Sequence, residues 1–177
     1  MINLSATLRR LSALAVLFAG ASAIHAQQLP MNNDAWKTRC DLLTASAGVI
    51  SNGNPPAALV GITRGVSAHS FYVLAVNRSQ ADQHYVGCTL YYLGAIAARS
   101  ANDTSTASDY LLLASADAKD AHGQSLTMSE RFKRITMKAS SLTDKSLTLT
   151  PDQTASVINA STTMPLTLTP PVLQSRR

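Results

Sequence analysis

Two cysteines, three histidines and a run of basic residues are the side chains of this sequence with the most chemistry to offer. Cys40 and Cys88 are its only cysteines, and His69, His84 and His122 follow the N-terminal segment that ends near Ala26. His84 and Cys88 stand four apart, a spacing that puts both on one face of a helix and within reach of one metal ion. Zinc takes four ligands, or three and a water. No spacing in the chain nominates His69, Asp82 or Cys40 to complete such a set. A Cys–His nucleophilic pair needs a reduced thiol. Gly-rich phosphate loops, the G-x-S-x-G elbow and H-E-x-x-H are absent. Asp117 and Asp120, flanking Lys119, are the nearest approach to paired carboxylates, and they read as a solvated turn. The expectation is no catalytic set, no metal and no cofactor.

The N-terminus reads as an export signal. Arg9 and Arg10 form a positive region, Leu11 to Gly20 an uncharged apolar one, and small residues follow. Cleavage is expected after Ala26, leaving Gln27 first, or after Ala23, where Ala21-Ser22-Ala23 fits the small-residue pattern. The apolar run is shorter than the ~20 residues a membrane span needs. No Cys stands at its end to carry a lipid. Segment 1–26 is thus set apart from a mature chain of 151 residues, placed in the periplasm or outside the cell. Loss of Arg9 and Arg10 leaves 13 Lys and Arg against 10 Asp and Glu, a net charge of +3, of which Arg176 and Arg177 supply two. A nearly neutral folded part excludes the electrostatic footprint of a nucleic-acid binder. Pro56 to Val76, the longest remaining apolar segment, is interrupted by Arg64 and His69, so no stable membrane insertion is expected after cleavage. In an exported chain, two cysteines read as one disulfide, Cys40–Cys88.

The elements that would hold these residues are helical. Charged residues make up only 14% of the chain, against roughly 25% in an average domain, and Ala, Ser and Thr together exceed a third. Such small residues suit close helix packing. Trp36, Cys40, Leu43, Ala47 and Ile50 follow a 4, 3, 4, 3 spacing after a cap at Asn33, and Ser51 to Pro56 form a turn. Ala57 to Val76 reads as a second helix, with Gly61 and Gly65 as a close-packing pair, although Phe71 to Val76 would also suit a strand. Asn77-Arg78-Ser79 breaks it. Ser79-Gln80-Ala81-Asp82 resembles a capping box opening a central helix from Gln80 to Arg99, uncharged between Asp82 and Arg99 and therefore buried. A polar loop, Ser100 to Ser108, precedes a short helix from Asp109 to Ala118. Thr127-Met128-Ser129-Glu130 is a capping box for a basic helix. Beyond Ser141, Leu147-Thr148-Leu149-Thr150-Pro151 recurs as Leu166-Thr167-Leu168-Thr169-Pro170. Two readings stay open, paired short strands around a helix at Pro151, or a Thr-rich extended tail. The expected architecture is mainly α: a small disulfide-stapled helical bundle over 27–140, then a Thr-rich segment 141–177 that is either β-containing or extended, disordered from Pro170.

Two groups of residues are candidates for binding. Arg131, Arg134 and Lys138 fall at i, i+3 and i+7, one stripe suited to an acidic partner or to plain solvation, with Met128, Phe132 and Ile135 turned to the opposite side. Tyr85, Tyr91 and Tyr92 on the central helix are either core or the wall of a small-ligand pocket. Cys88-Thr89-Leu90-Tyr91-Tyr92-Leu93-Gly94, together with Trp36 to Leu43 carrying Cys40, resembles the small helical immunity proteins that neutralise amidase effectors of the type VI secretion system. The resemblance covers about 36–99. It implies an exported, disulfide-bonded helical protein that blocks a cell-wall-degrading enzyme. That family's later Cys-Pro segment and terminal Cys have no counterpart here, so no contact residue carries over. The expected function is non-catalytic binding of another exported protein. The alternatives are a small-ligand carrier or enzyme using the tyrosines, and a structural component of an envelope or secretion assembly.

Overall fold

The structure, a computed structural model, describes residues 32–144 and 146–168. The expected signal segment 1–26 and the end from Pro170 lie outside the described residues. Among those described, eight helices and no strand are formed. The Asn32 side chain accepts from the Asp34 amide and caps α1 (Asn33–Ala45), one residue earlier than expected. Trp36, Cys40 and Leu43 point inward, as the spacing predicts. Ser46 separates α1 from a short α2 (Ala47–Ser51), which buries Ile50.

The expected second helix is two. α3 (Ala57–Thr63) and α4 (Ala68–Gln80) meet at 89°. Gly65 has φ +82°, a left-handed conformation that side chains with a Cβ avoid. Ser67 then caps α4 by accepting from the Ser70 amide. Gly61 meets nothing within contact distance, so the pair Gly61/Gly65 marks a bend and not a packing seam. The stretch Phe71 to Val76 is helical, and α4 runs through Asn77-Arg78-Ser79 without a break. Ser79 is buried inside α4 and caps nothing; the expected box there does not form, and Gln83 precedes α5 (His84–Ser100).

The central helix is as expected in kind. Every residue of α5 from Val86 to Ala98 is buried, and α5 packs chiefly on α6 and α4, with α1, α3 and α8 completing its surround. Gly87 lets α6 approach: a Cβ there would overlap the Asp117 carboxylate. α6 (Thr104–Ala121) is longer than the sequence suggests, because Asp103 accepts from the Thr106 amide and starts it within the presumed loop. α7 (Met128–Thr143) opens on the expected capping box.

The first Leu-Thr-Leu-Thr stretch forms no strand, and the described part of its repeat forms none either. Thr150, Pro151 and Gln153 instead start α8 (Pro151–Thr163) with a capping box and Pro at its first turn. Val157, Ala160 and Met164 are buried, and Arg39 from α1 donates to the Thr162 carbonyl at 2.9 Å. The C-terminal helix thus belongs to the same core.

Cys40 on α1 and Cys88 on α5 are bonded, with Cα atoms 5.7 Å apart and a sequence separation of 48. Such a bond persists in an oxidising compartment. No single helix among the described residues is long and apolar enough to cross a membrane.

Candidate functional site

α7 is seated by charge. Glu130, in its first turn, is buried and accepts from Lys119 at 2.7 Å on both oxygens, from Ser115 at 2.6 Å and from the Thr127 amide at 2.7 Å. Burial alone would raise this carboxyl, but Lys119, Ser115 and Thr127 hold it down at about 2. Lys133 pairs with Asp109 at 2.5 Å. Arg134 reaches Asp117 Oδ1 with Nη2 at 2.5 Å and pairs with Asp120 through Nη1. Met137 is the one large apolar side chain that α7 buries. The facing side of α6 supplies the carboxylates, so Asp117 and Asp120 are no solvated turn. Asp117 is fully buried.

Three helices converge on that Asp117 of α6. Ser79 of α4 donates to Oδ1 at 2.9 Å, His84 at the start of α5 contacts it through Nδ1 at 3.1 Å, and Arg134 arrives from α7. Oδ2 has no hydrogen-bond partner and lies against Gly87. Burial pushes the Asp117 carboxyl up, while the His84, Arg134 and Ser79 contacts oppose that rise. The same contact raises the His84 imidazole above its ordinary value against the opposing effect of burial. A cleft of about 420 Å³ opens beside the cluster, lined in part by Gln80, Asp82, His84, Asp120, Arg134 and Lys138. His84, Asp117 and Asp120 each offer a ligand atom, all within 4.8 Å of one another. A guanidinium already spans the two carboxylates, so a metal ion would have to displace Arg134.

The outer face of α7 is apolar. Met128, Phe132, Ile135 and Leu142 are 88%, 72%, 68% and 81% exposed. The expected solvated face of cations opposite Met128, Phe132 and Ile135 is therefore not what forms: these three apolar residues, joined by Leu142, are themselves in solvent. The basic stripe is accordingly divided. Arg131 and Lys138 remain exposed, whereas Arg134 is turned onto α6. Arg131 uses Nε to donate to the Leu126 carbonyl at 3.2 Å.

The remaining candidates are scattered. Tyr91 and Tyr92 are core side chains, while Tyr85 is half-buried and donates to the Ala121 carbonyl. Sequence reasoning missed the stacked partner of this core, Tyr72 against Tyr110 at 5.1 Å between ring centroids. His69 contacts the Ser146 carbonyl, His122 pairs with Asp41, and Cys88 is committed to the disulfide, so no His–Cys ligand pair exists.

The class these features define is a small disulfide-stapled helical domain in which one helix is held by ion pairs and presents its apolar row outward. No protein-family model matches the chain, no curated protein matches it, and no solved structure matches it.

Proposed function

We propose that the protein is an exported, non-catalytic binding module whose contact surface is the outer face of α7. The observation that carries this reading is the row Met128, Phe132, Ile135 and Leu142, left in solvent while the inward side of the same helix is ionic. A contiguous apolar row of this kind on a soluble protein marks an interaction surface. Export is supported by the sequence pattern of residues 1–26 and by the disulfide. The partner is another exported protein, and the most specific form of the reading is an immunity-type inhibitor, with α7 inserted into the cleft of a cell-wall-degrading enzyme.

The test is native co-purification from the periplasm with the oxidised chain and with a Phe132→Ser/Ile135→Ser variant. A stoichiometric partner retained by the first and lost from the second is expected. A partner held equally by both, or a solitary monomer in both cases, overturns the reading.

The cleft beside His84 favours a second reading, a small-ligand carrier, because its 420 Å³ is of ligand size. This differs from the pocket expected at Tyr85, Tyr91 and Tyr92. A retained small molecule in native mass spectrometry would put the carrier first.

A further inference from the structure

Resting on α7 as the contact surface, we infer that its occupant is an amphipathic helical surface of an exported protein with carboxylates along one side of its apolar seam.

The row has the spacing of a helix–helix seam. Met128, Phe132, Ile135, Ala139 and Leu142 follow one another at 4, 3, 4 and 3 residues, and all five are exposed. That is the a/d pattern whose side chains interlock with a second helix. It continues for fourteen helical steps from Met128 to Leu142, about 21 Å at 1.5 Å per step. The row stands on a convex ridge, because the opposite side of α7 is occupied by Glu130, Arg134 and Met137 against the body of the protein. A ridge of this form fits a helix face or the groove between two helices.

The flanks of the row specify charge. Arg131 and Lys138 lie seven residues apart on one side, about 10 Å along the axis. Ser129, Thr136 and Thr143 line the other side and carry none. The remaining α7 cations are engaged: Lys133 with Asp109, and Arg134 with Asp117 and Asp120. Glu130, the helix's one carboxylate, is turned inward onto Lys119. The outer face therefore presents two cations on one edge and no anion. A partner that answers it has an apolar seam with carboxylates about two turns apart on one side only.

The same arithmetic disfavours the other occupants. A second copy packed antiparallel would set Arg131 against Lys138. A parallel copy would set Arg131 against Thr136, which offers no charge. An anionic membrane is held by clusters of 4–8 cations, and this edge has two.

The experiment uses the full oxidised chain and two synthetic helical peptides. Both carry the same Leu/Ile seam, one with Glu at its flanking positions and one with Lys, and binding is read by fluorescence anisotropy. The Glu peptide is expected to bind about tenfold more tightly than the Lys peptide. Arg131→Glu/Lys138→Glu should reverse the preference, and Ile135→Ser should weaken both. Equal affinity for the two peptides overturns the carboxylate pairing while leaving α7 as the contact surface. Binding of neither peptide, in a chain whose periplasmic partner still depends on Phe132 and Ile135, overturns the helical occupant alone. Loss of that dependence as well overturns the underlying reading. Co-sedimentation with phosphatidylglycerol vesicles, or a dimer in sedimentation velocity that Ile135→Ser dissolves, overturns the inference in favour of lipid or a second copy.

Discussion

α5 and α7 place their apolar residues on opposite sides of the protein surface. α5 is apolar nearly all round and enclosed from Val86 to Ala98, tied to α1 by the Cys40–Cys88 bond. α7 is amphipathic in the usual proportions, yet it turns Glu130, Lys133 and Arg134 inward and leaves Met128, Phe132, Ile135 and Leu142 in water. The hydrophobic effect alone would flip it. What holds it is the acidic side of α6, where Asp109, Asp117 and Asp120 answer Lys133 and Arg134, together with Glu130 on Lys119. Amphipathic periodicity identifies two faces of a helix. It does not say which one docks when the neighbouring element is charged.

The largest expected effect tests the anchor of α5. Cys40→Ala/Cys88→Ala opens a 48-residue loop, and in the chain-entropy picture that costs roughly 4 kcal/mol. Urea unfolding of the oxidised chain and the variant measures it. A difference under about 1 kcal/mol would mean that the contacts of α5 suffice without the bond.

The next tests the anchor of α7. Glu130→Ala removes a buried carboxylate and strands Lys119, with an expected cost of about 3 kcal/mol. Acid gives an independent readout. The folded carboxyl sits at about 2 against an ordinary 4.5. Its folded value is depressed, so its contribution is complete above 4.5 and is lost as pH falls from 4.5 towards 2. Glu130→Gln should flatten the stability profile across that window relative to the native chain. An unchanged slope would show that the Glu130 charge is not part of what seats α7.

Much of the fold was legible because its signals are local. The uncharged run from Tyr85 to Ala98 announced a buried helix. The capping box from Thr127 to Glu130 and the Pro at position 151 announced two helix starts, and both helices form. The misreadings came from non-local partners. Ser79 looked like a cap because only the fold brings Asp117 to it across 38 residues. Asp117 and Asp120 looked solvated until α7 supplied Arg134. The spacing of Met128, Phe132 and Ile135 was plain in the sequence, but its direction depended on carboxylates eight to twenty-six residues upstream. A signal was present there: α6 carries Asp at 109, 117 and 120, and α7 carries Lys133 and Arg134, opposite charges on consecutive helices.

The smallest expected effect is the sharpest test of the contrast between the helices. Ile135→Ser removes a large apolar group from α7, and Ile and Ser have similar helix propensity, so the backbone preference is held nearly constant. Ile135 is 68% exposed and buries little when the chain folds. Its replacement should therefore leave stability within about 0.5 kcal/mol, measured by urea unfolding, and should lower the binding of a hydrophobic dye to the native state. A loss well beyond that would mean that another part of the chain covers the row in solution. Near-neutral stability combined with loss of a bound partner would separate the two helices cleanly, α5 holding the fold and α7 spending its apolar face on contact.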